Sequence, residues 1–148
     1  MNQDSVDILL IEDNENDAEL TIRELKKNNM ANNLMQVSDG EEALEFIFCT
    51  GRYQSNKPIA VRPKLILCDI QMPKVNGIEV LQKIRSHPHT ATIPVVMLTS
   101  SKEDPDIQKC YALGANSYIV KPVDFGSFAQ AIKNIGYYWL LLNQPPAK

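Results

Sequence analysis

The chain has 148 residues, of which 44% are hydrophobic and 22% charged, with a net charge of −3. That length suits one domain with a real core, and that balance suits a soluble globular protein. The slight acidity gives nucleic acid no foothold, and the longest apolar runs, such as WLLL, are far too short to span a bilayer.

The polar, acidic start MNQDSVD lacks the character of a signal peptide. Cys49, Cys68 and Cys110 are widely spaced and odd in number, with no CxxC and no zinc spacing. They are expected to be buried or half-buried thiols in a reducing cytosol.

In chain order, Asp7–Ile11 is a short apolar run and so a first strand. The stretch Glu15 to Asn29 places Ala18, Ile22 and Leu25 at helical spacing and closes on KKNN, cations and asparagines suited to a helix end. NLMQV is the second strand. DGEEALEFIFCTG predicts a second helix, with Ala43, Leu44, Ile47 and Phe48 on one face and Gly51 at its end. Residues 51–63, polar and bounded by proline, read as a long loop. KLILCDI is the third strand. A third helix is expected from about Gly77 to Ser86, followed by the HPHT turn, where His87 and His89 should be solvated. IPVVMLTS is the fourth strand. EDPDIQKCYALGA predicts a fourth helix, with Asp104 as N-cap, Pro105 as first helical residue and Gly114 at the C-terminal cap. NSYIV is the fifth strand. The last helix runs from Asp124, with Phe125, Phe128, Ala129, Ile132, Ile135 and Trp139 at helical spacing, until Pro145–Pro146.

Five strands alternating with five helices predict an α/β fold, a doubly wound parallel sheet with helices on both faces. It is expected to be one domain, with its core at about residues 6–143 and no output domain. The site of such a sheet lies at the carboxyl ends of its strands. There the sequence carries Glu12–Asp13, Asp69, Thr99–Ser100 and Lys121–Pro122. Asp69 ends a run apolar enough to be buried on both faces, where a lone carboxylate is costly. Alone, each group has an ordinary reading: a helix lead-in, a turn cap, a strand-end hydroxyl, a surface lysine. Together on one rim they describe a cleft of hard oxygen ligands beside a cation. That chemistry suits Mg²⁺ and a phosphoryl group attacked by a carboxylate.

The motifs ILLIEDN, LILCDIQMPKVNG, PVVMLTSS and YIVKPVD, in this order and spacing, resemble the receiver domains of response regulators in two-component signalling, the CheY-like superfamily. The likeness covers essentially the whole chain. It implies a flavodoxin-like sheet of order 2-1-3-4-5. It implies that Asp69 accepts phosphate from a histidine kinase, and that Glu12, Asp13, Asp69 and the backbone carbonyl of Gln71 bind Mg²⁺. Thr99 and Lys121 would contact the phosphoryl group, Tyr118 would be the switch aromatic, and the Lys121–Pro122 bond would be cis. The 51–63 loop, the HP turn and the C-terminal YYWLLLNQPP further resemble the single-domain regulators paired with phytochrome-type kinases. That likeness implies a homodimer through the fourth helix, fifth strand and fifth helix that would bury Tyr137, Tyr138 and Leu141, in a protein whose cysteines already point to the cytoplasm. Gln71, two residues after Asp69, bears on how long a phosphate would persist. Two other readings stay open: a phosphatase with an aspartyl-phosphate intermediate, disfavoured because Gln71 cannot act as a general acid, and an unphosphorylated adaptor. The absence of GxGxxG after the first strand and of GxxxxGK[ST] disfavours a nucleotide site.

Overall fold

The computed structural model describes residues 6–28, 33–55 and 62–135. Five strands, β1 (Ile8–Ile11), β2 (Leu34–Val37), β3 (Leu65–Asp69), β4 (Val95–Thr99) and β5 (Ser117–Val120), form one sheet of order β2-β1-β3-β4-β5. Every neighbouring pair is parallel. The helices are α1 (Glu15–Lys27), α2 (Gly40–Phe48), α3 (Gly77–Arg85), α4 (Asp106–Ala112) and α5 (Phe125–Ile135). The expected order and class are therefore those observed.

Side chains alternate across each strand, and each strand feeds two separate cores. Ile8, Leu10, Leu65, Leu67, Val96, Leu98 and Ile119 pack with Ala18 and Leu25 of α1 and Phe128, Ala131 and Ile132 of α5. Leu9, Ile11, Ile66, Cys68, Val95 and Met97 pack on the other face, under α2, α3 and Cys110 of α4. The central residues Leu9, Leu10, Ile66 and Leu67 are wholly buried, each contributing on the order of 1.5–3 kcal/mol of hydrophobic stabilisation. The strand order reverses between β1 and β3, which opens the cleft beyond their carboxyl ends.

Several element ends differ from expectation, most clearly around α2 and α4. α2 stops at Phe48, and Cys49 rather than Gly51 takes the left-handed C-cap conformation, with φ +56°. Gly51 instead begins a single 3₁₀ turn, Gly51–Tyr53, which sets Tyr53 edge-on to Phe46, so the start of the expected loop is ordered by packing. α4 begins at Asp106, one residue later than expected, because Pro105 occupies the cap position. Asp104 still satisfies that helix end, its carboxylate accepting the Asp106 N–H at 2.9 Å. Tyr137, Tyr138, Trp139 and Leu141 lie outside the described residues.

α3 is placed tightly over the end of β3. The Gly77 N–H donates to the Ile70 carbonyl at 3.0 Å, and a Cβ at Gly77 would collide with the Asp69 carbonyl. A capping box closes the same turn, with Asn76 and Glu79 exchanging side-chain to backbone bonds of 3.0 Å. Such a box contributes about 1 kcal/mol. The loop above Asp69 is thus pinned at its far end.

Candidate functional site

Strand alternation decides which strand-end groups meet. Leu67 faces α1 and α5, so Asp69, two residues on, points the same way; so does Glu12, two after Leu10, and Lys121, two after Ile119. The structure brings these three together. The Lys121 Nζ lies 3.3 Å from Asp69 Oδ2 and 3.3 Å from Glu12 Oε1. Glu12 is fully buried and Asp69 nearly so. Asp13 is exposed at the lip, and one carboxylate oxygen from each of Glu12, Asp13 and Asp69 lies within 4.8 Å of the others. Asp13, Asn14, Asp17, Asp69, Gln71, Ser100 and Lys121 line a cleft of about 240 Å³.

A fourth carboxylate, not anticipated from the sequence, makes the shortest contact to the lysine: Asp17 Oδ2 lies 3.0 Å from Lys121 Nζ. Asp17 sits in the first turn of α1, its N–H capped by the Asn14 side chain at 2.9 Å. It is one turn ahead of the buried Thr21, whose hydroxyl donates to the Asp17 carbonyl. The signal for it was available. Asp17 extends the buried stripe of α1 by one turn, toward the strand ends.

One lysine among four carboxylates leaves the site short of positive charge, and the acids register this. Burial pushes the Glu12 carboxyl up from 4.5 to about 8, and the neighbouring Asp69 adds to the shift. Burial also raises Asp69, against the opposing pull of Glu12, Lys121 and the Gln71 N–H, which donates to Asp69 Oδ1 at 3.2 Å. Burial works to lower Lys121, but the bond to Asp17 and the charges of Asp69, Glu12 and Asp17 outweigh it and hold the ammonium above its ordinary range. Three hard oxygen donors, one of them open to solvent, have the chemistry for a small divalent cation that retains water.

The remaining predicted groups fall on the other side. Thr99 follows Leu98 and so faces α4, as does Tyr118. The Thr99 hydroxyl is buried and does not join Lys121. It lies 3.0 Å from both the Ser101 carbonyl and Asp104 Oδ2. Tyr118 is half-buried, edge-on to Tyr111 of α4 with ring centroids 6.1 Å apart. The Lys121–Pro122 bond is cis. His87 and His89 are exposed, although the His87 ring rests against Phe48, with centroids 4.6 Å apart. Cys49, Cys68 and Cys110 are free thiols, the last two buried.

An open parallel sheet of this order, with clustered acids at its switch point and a lysine brought in from the β5 end, defines a phosphorylation-type receiver module. Residues 8–133 match the response regulator receiver domain, and the chain belongs to that family. It is similar to the bacteriophytochrome response regulator RtBRR, at 45% identity and a TM-score of 0.84, over 95% of this chain and 84% of that one. It is also similar to the bacteriophytochrome response regulator AtBRR, at 44% identity and a TM-score of 0.81, over 94% and 98%. Response regulator Rcp1 of Synechocystis sp. is 36% identical over 133 residues, 90% of this chain and 88% of that protein. The chain therefore stands with signalling receivers rather than turnover enzymes. No helix among the described residues is long and apolar enough to cross a membrane.

Proposed function

We propose that this chain is a cytoplasmic response regulator that takes a phosphoryl group onto Asp69 from a sensor histidine kinase of the phytochrome type. The observation that carries this reading is the lysine bridge. One ammonium is held by Glu12 and Asp17 while lying 3.3 Å from Asp69 Oδ2, where it can balance charge arriving on Asp69. An Asp69 oxygen attacks phosphorus, the O–P bond forms as the P–N bond to the donor imidazole breaks, and the bonding pair leaves with that imidazole. Glu12, Asp13, Asp69 and the Gln71 backbone carbonyl are the groups that would hold Mg²⁺, whose charge offsets that of the phosphoryl oxygens. Lys121 binds one of those oxygens and the Thr99 hydroxyl another, after turning from its present partners. Tyr118 then follows Thr99, and the α4–β5–α5 surface changes toward a partner or a second copy of the chain. Likeness to the two bacteriophytochrome regulators supports the kinase class.

Acetyl phosphate with Mg²⁺ should label the protein, and Asp69→Asn should abolish the label on a phosphate-affinity gel. Robust labelling of Asp69→Asn would overturn the assignment.

A further inference from the structure

We propose that Asp104 is a positioning residue that holds the Thr99 hydroxyl in its resting orientation, and so sets how readily the site passes to its phosphorylated form. The inference rests on the reading of Thr99 as a later partner of the phosphoryl group. A threonine hydroxyl has one proton to donate. Here two acceptors share it, the Ser101 carbonyl and Asp104 Oδ2, both at 3.0 Å. The Ser101 N–H also donates back to the hydroxyl at 3.3 Å. For Thr99 to donate to a phosphoryl oxygen, both acceptors must be given up.

Asp104 is the stronger of the two, because its bond is charge-assisted. Among the described residues no lysine or arginine forms an ion pair with it. Its carboxylate is served instead by the Thr99 hydroxyl on one oxygen and the Asp106 N–H, at 2.9 Å, on the other. The Asp104 carbonyl accepts the Ile107 N–H at 3.1 Å. One residue therefore joins the hydroxyl at the end of β4 to the first turn of α4. That helix carries Tyr111, packed edge-on against Tyr118. When Thr99 leaves, one oxygen of Asp104 loses its donor at the head of the helix that meets the switch aromatic.

The test uses beryllofluoride with Mg²⁺ as the phosphoryl probe, its bound fraction read by fluorine NMR across a titration. Asp104→Asn keeps an oxygen for the Asp106 N–H, since Asn caps as well as Asp, but removes the charge from the bond to Thr99. Exchanging a charged acceptor for a neutral one should tighten beryllofluoride binding about fivefold, with the melting temperature little changed. Thr99→Ala should weaken binding. In the Thr99→Ala background, Asp104→Asn should have no further effect. If Asp104→Asn leaves affinity unchanged while Thr99→Ala weakens it, the role of Asp104 is refuted and the reading of Thr99 stands. If the Asp104→Asn gain persists without the threonine hydroxyl, Asp104 acts through its charge alone and the proposal fails. If Thr99→Ala binds as tightly as the parent, the reading of Thr99 falls and the proposal with it.

Discussion

The charge deficit at the site predicts an inverted pH profile for the metal-free protein. Glu12 titrates near 4.5 in an unfolded chain and at about 8 in the fold. Between those values the folded state binds the extra proton, so stability falls as pH rises. One proton held through the whole interval costs about 1.4 kcal/mol per pH unit. From about pH 5 to about pH 7.5, with incomplete uptake at both ends, the loss is about 2–3 kcal/mol. Asp69, also raised, adds in the same direction. Lys121, raised above its ordinary range, contributes stability that is fully present below that range and so is constant across this window. In a domain of this size the loss corresponds to a melting temperature lower by roughly 5–10 °C. The assay is thermal unfolding followed by circular dichroism, in a chelator, at several pH values. Millimolar Mg²⁺ should restore stability near pH 7.5, where it takes the place of the proton, and do little near pH 5. Glu12→Gln should flatten the profile. A chelated protein whose stability is level or rises across this window would refute the reasoning, as would the same fall persisting in Glu12→Gln.

Other consequences follow from single contacts. Lys121→Met should cost about 2–3 kcal/mol near pH 8, where it removes the cation from the buried acids, and clearly less near pH 5, where Glu12 is protonated; equal losses in urea titrations at both pH values would contradict this. Arg85 donates to the carbonyls of Gly114 (2.8 and 3.0 Å), Ile93 (2.7 Å) and Ala91 (3.2 Å), so Arg85→Met should lower stability by about 2–4 kcal/mol without changing labelling of Asp69 by acetyl phosphate. A loss below about 1 kcal/mol would mean that water serves those carbonyls equally well. Cys68 and Cys110 are buried, and burial pushes the Cys110 thiol up to about 11. The native protein should therefore expose only Cys49 to a thiol reagent at neutral pH among these three, and rapid modification of Cys110 would overturn that ordering.

Much of this molecule was legible in its sequence because buried parallel strands write themselves as continuous apolar runs. KLILCDI and IPVVMLTS could be little else. The strand-end rule places Glu12, Asp69, Thr99 and Lys121 at one rim. What escaped was contributed by elements that flank the sheet. Asp17 belongs to a helix face, and in a chain with 18 acidic residues an aspartate in a first helical turn looks like an ordinary response to the helix dipole. Asp104 reads in the sequence as the N-cap of α4; Pro105 takes that position, and Asp104 serves the helix end through the Asp106 N–H. Its second bond, to Thr99, depends on a loop conformation that no periodicity encodes. Cys49 in a left-handed conformation escaped for a different reason: a glycine two residues later offered the cheaper cap, and the 3₁₀ turn claimed it.

Placing every strand-end group on one rim was true but incomplete, because a rim has two sides. Alternation puts Asp69, Glu12 and Lys121 over α1 and α5, and Thr99 and Tyr118 toward α4. The charged half is held together by ion pairs and the other by a hydroxyl, a carboxylate and two rings. Among the described residues no side-chain hydrogen bond joins Thr99 to Asp69 or Lys121, although the Lys121 N–H donates to the Thr99 carbonyl at 2.8 Å. In the resting arrangement the halves are therefore joined through the backbone, not through a side-chain bond between Thr99 and the charged half. The phosphoryl group proposed for Asp69 would present oxygens to a donor from each half, Lys121 from one side and Thr99 from the other. That would give the proposed modification its leverage. It would add an acceptor where two separately satisfied networks end, and the bond that Thr99 must surrender to reach it is to Asp104, whose other carboxylate oxygen accepts the Asp106 N–H at the start of α4.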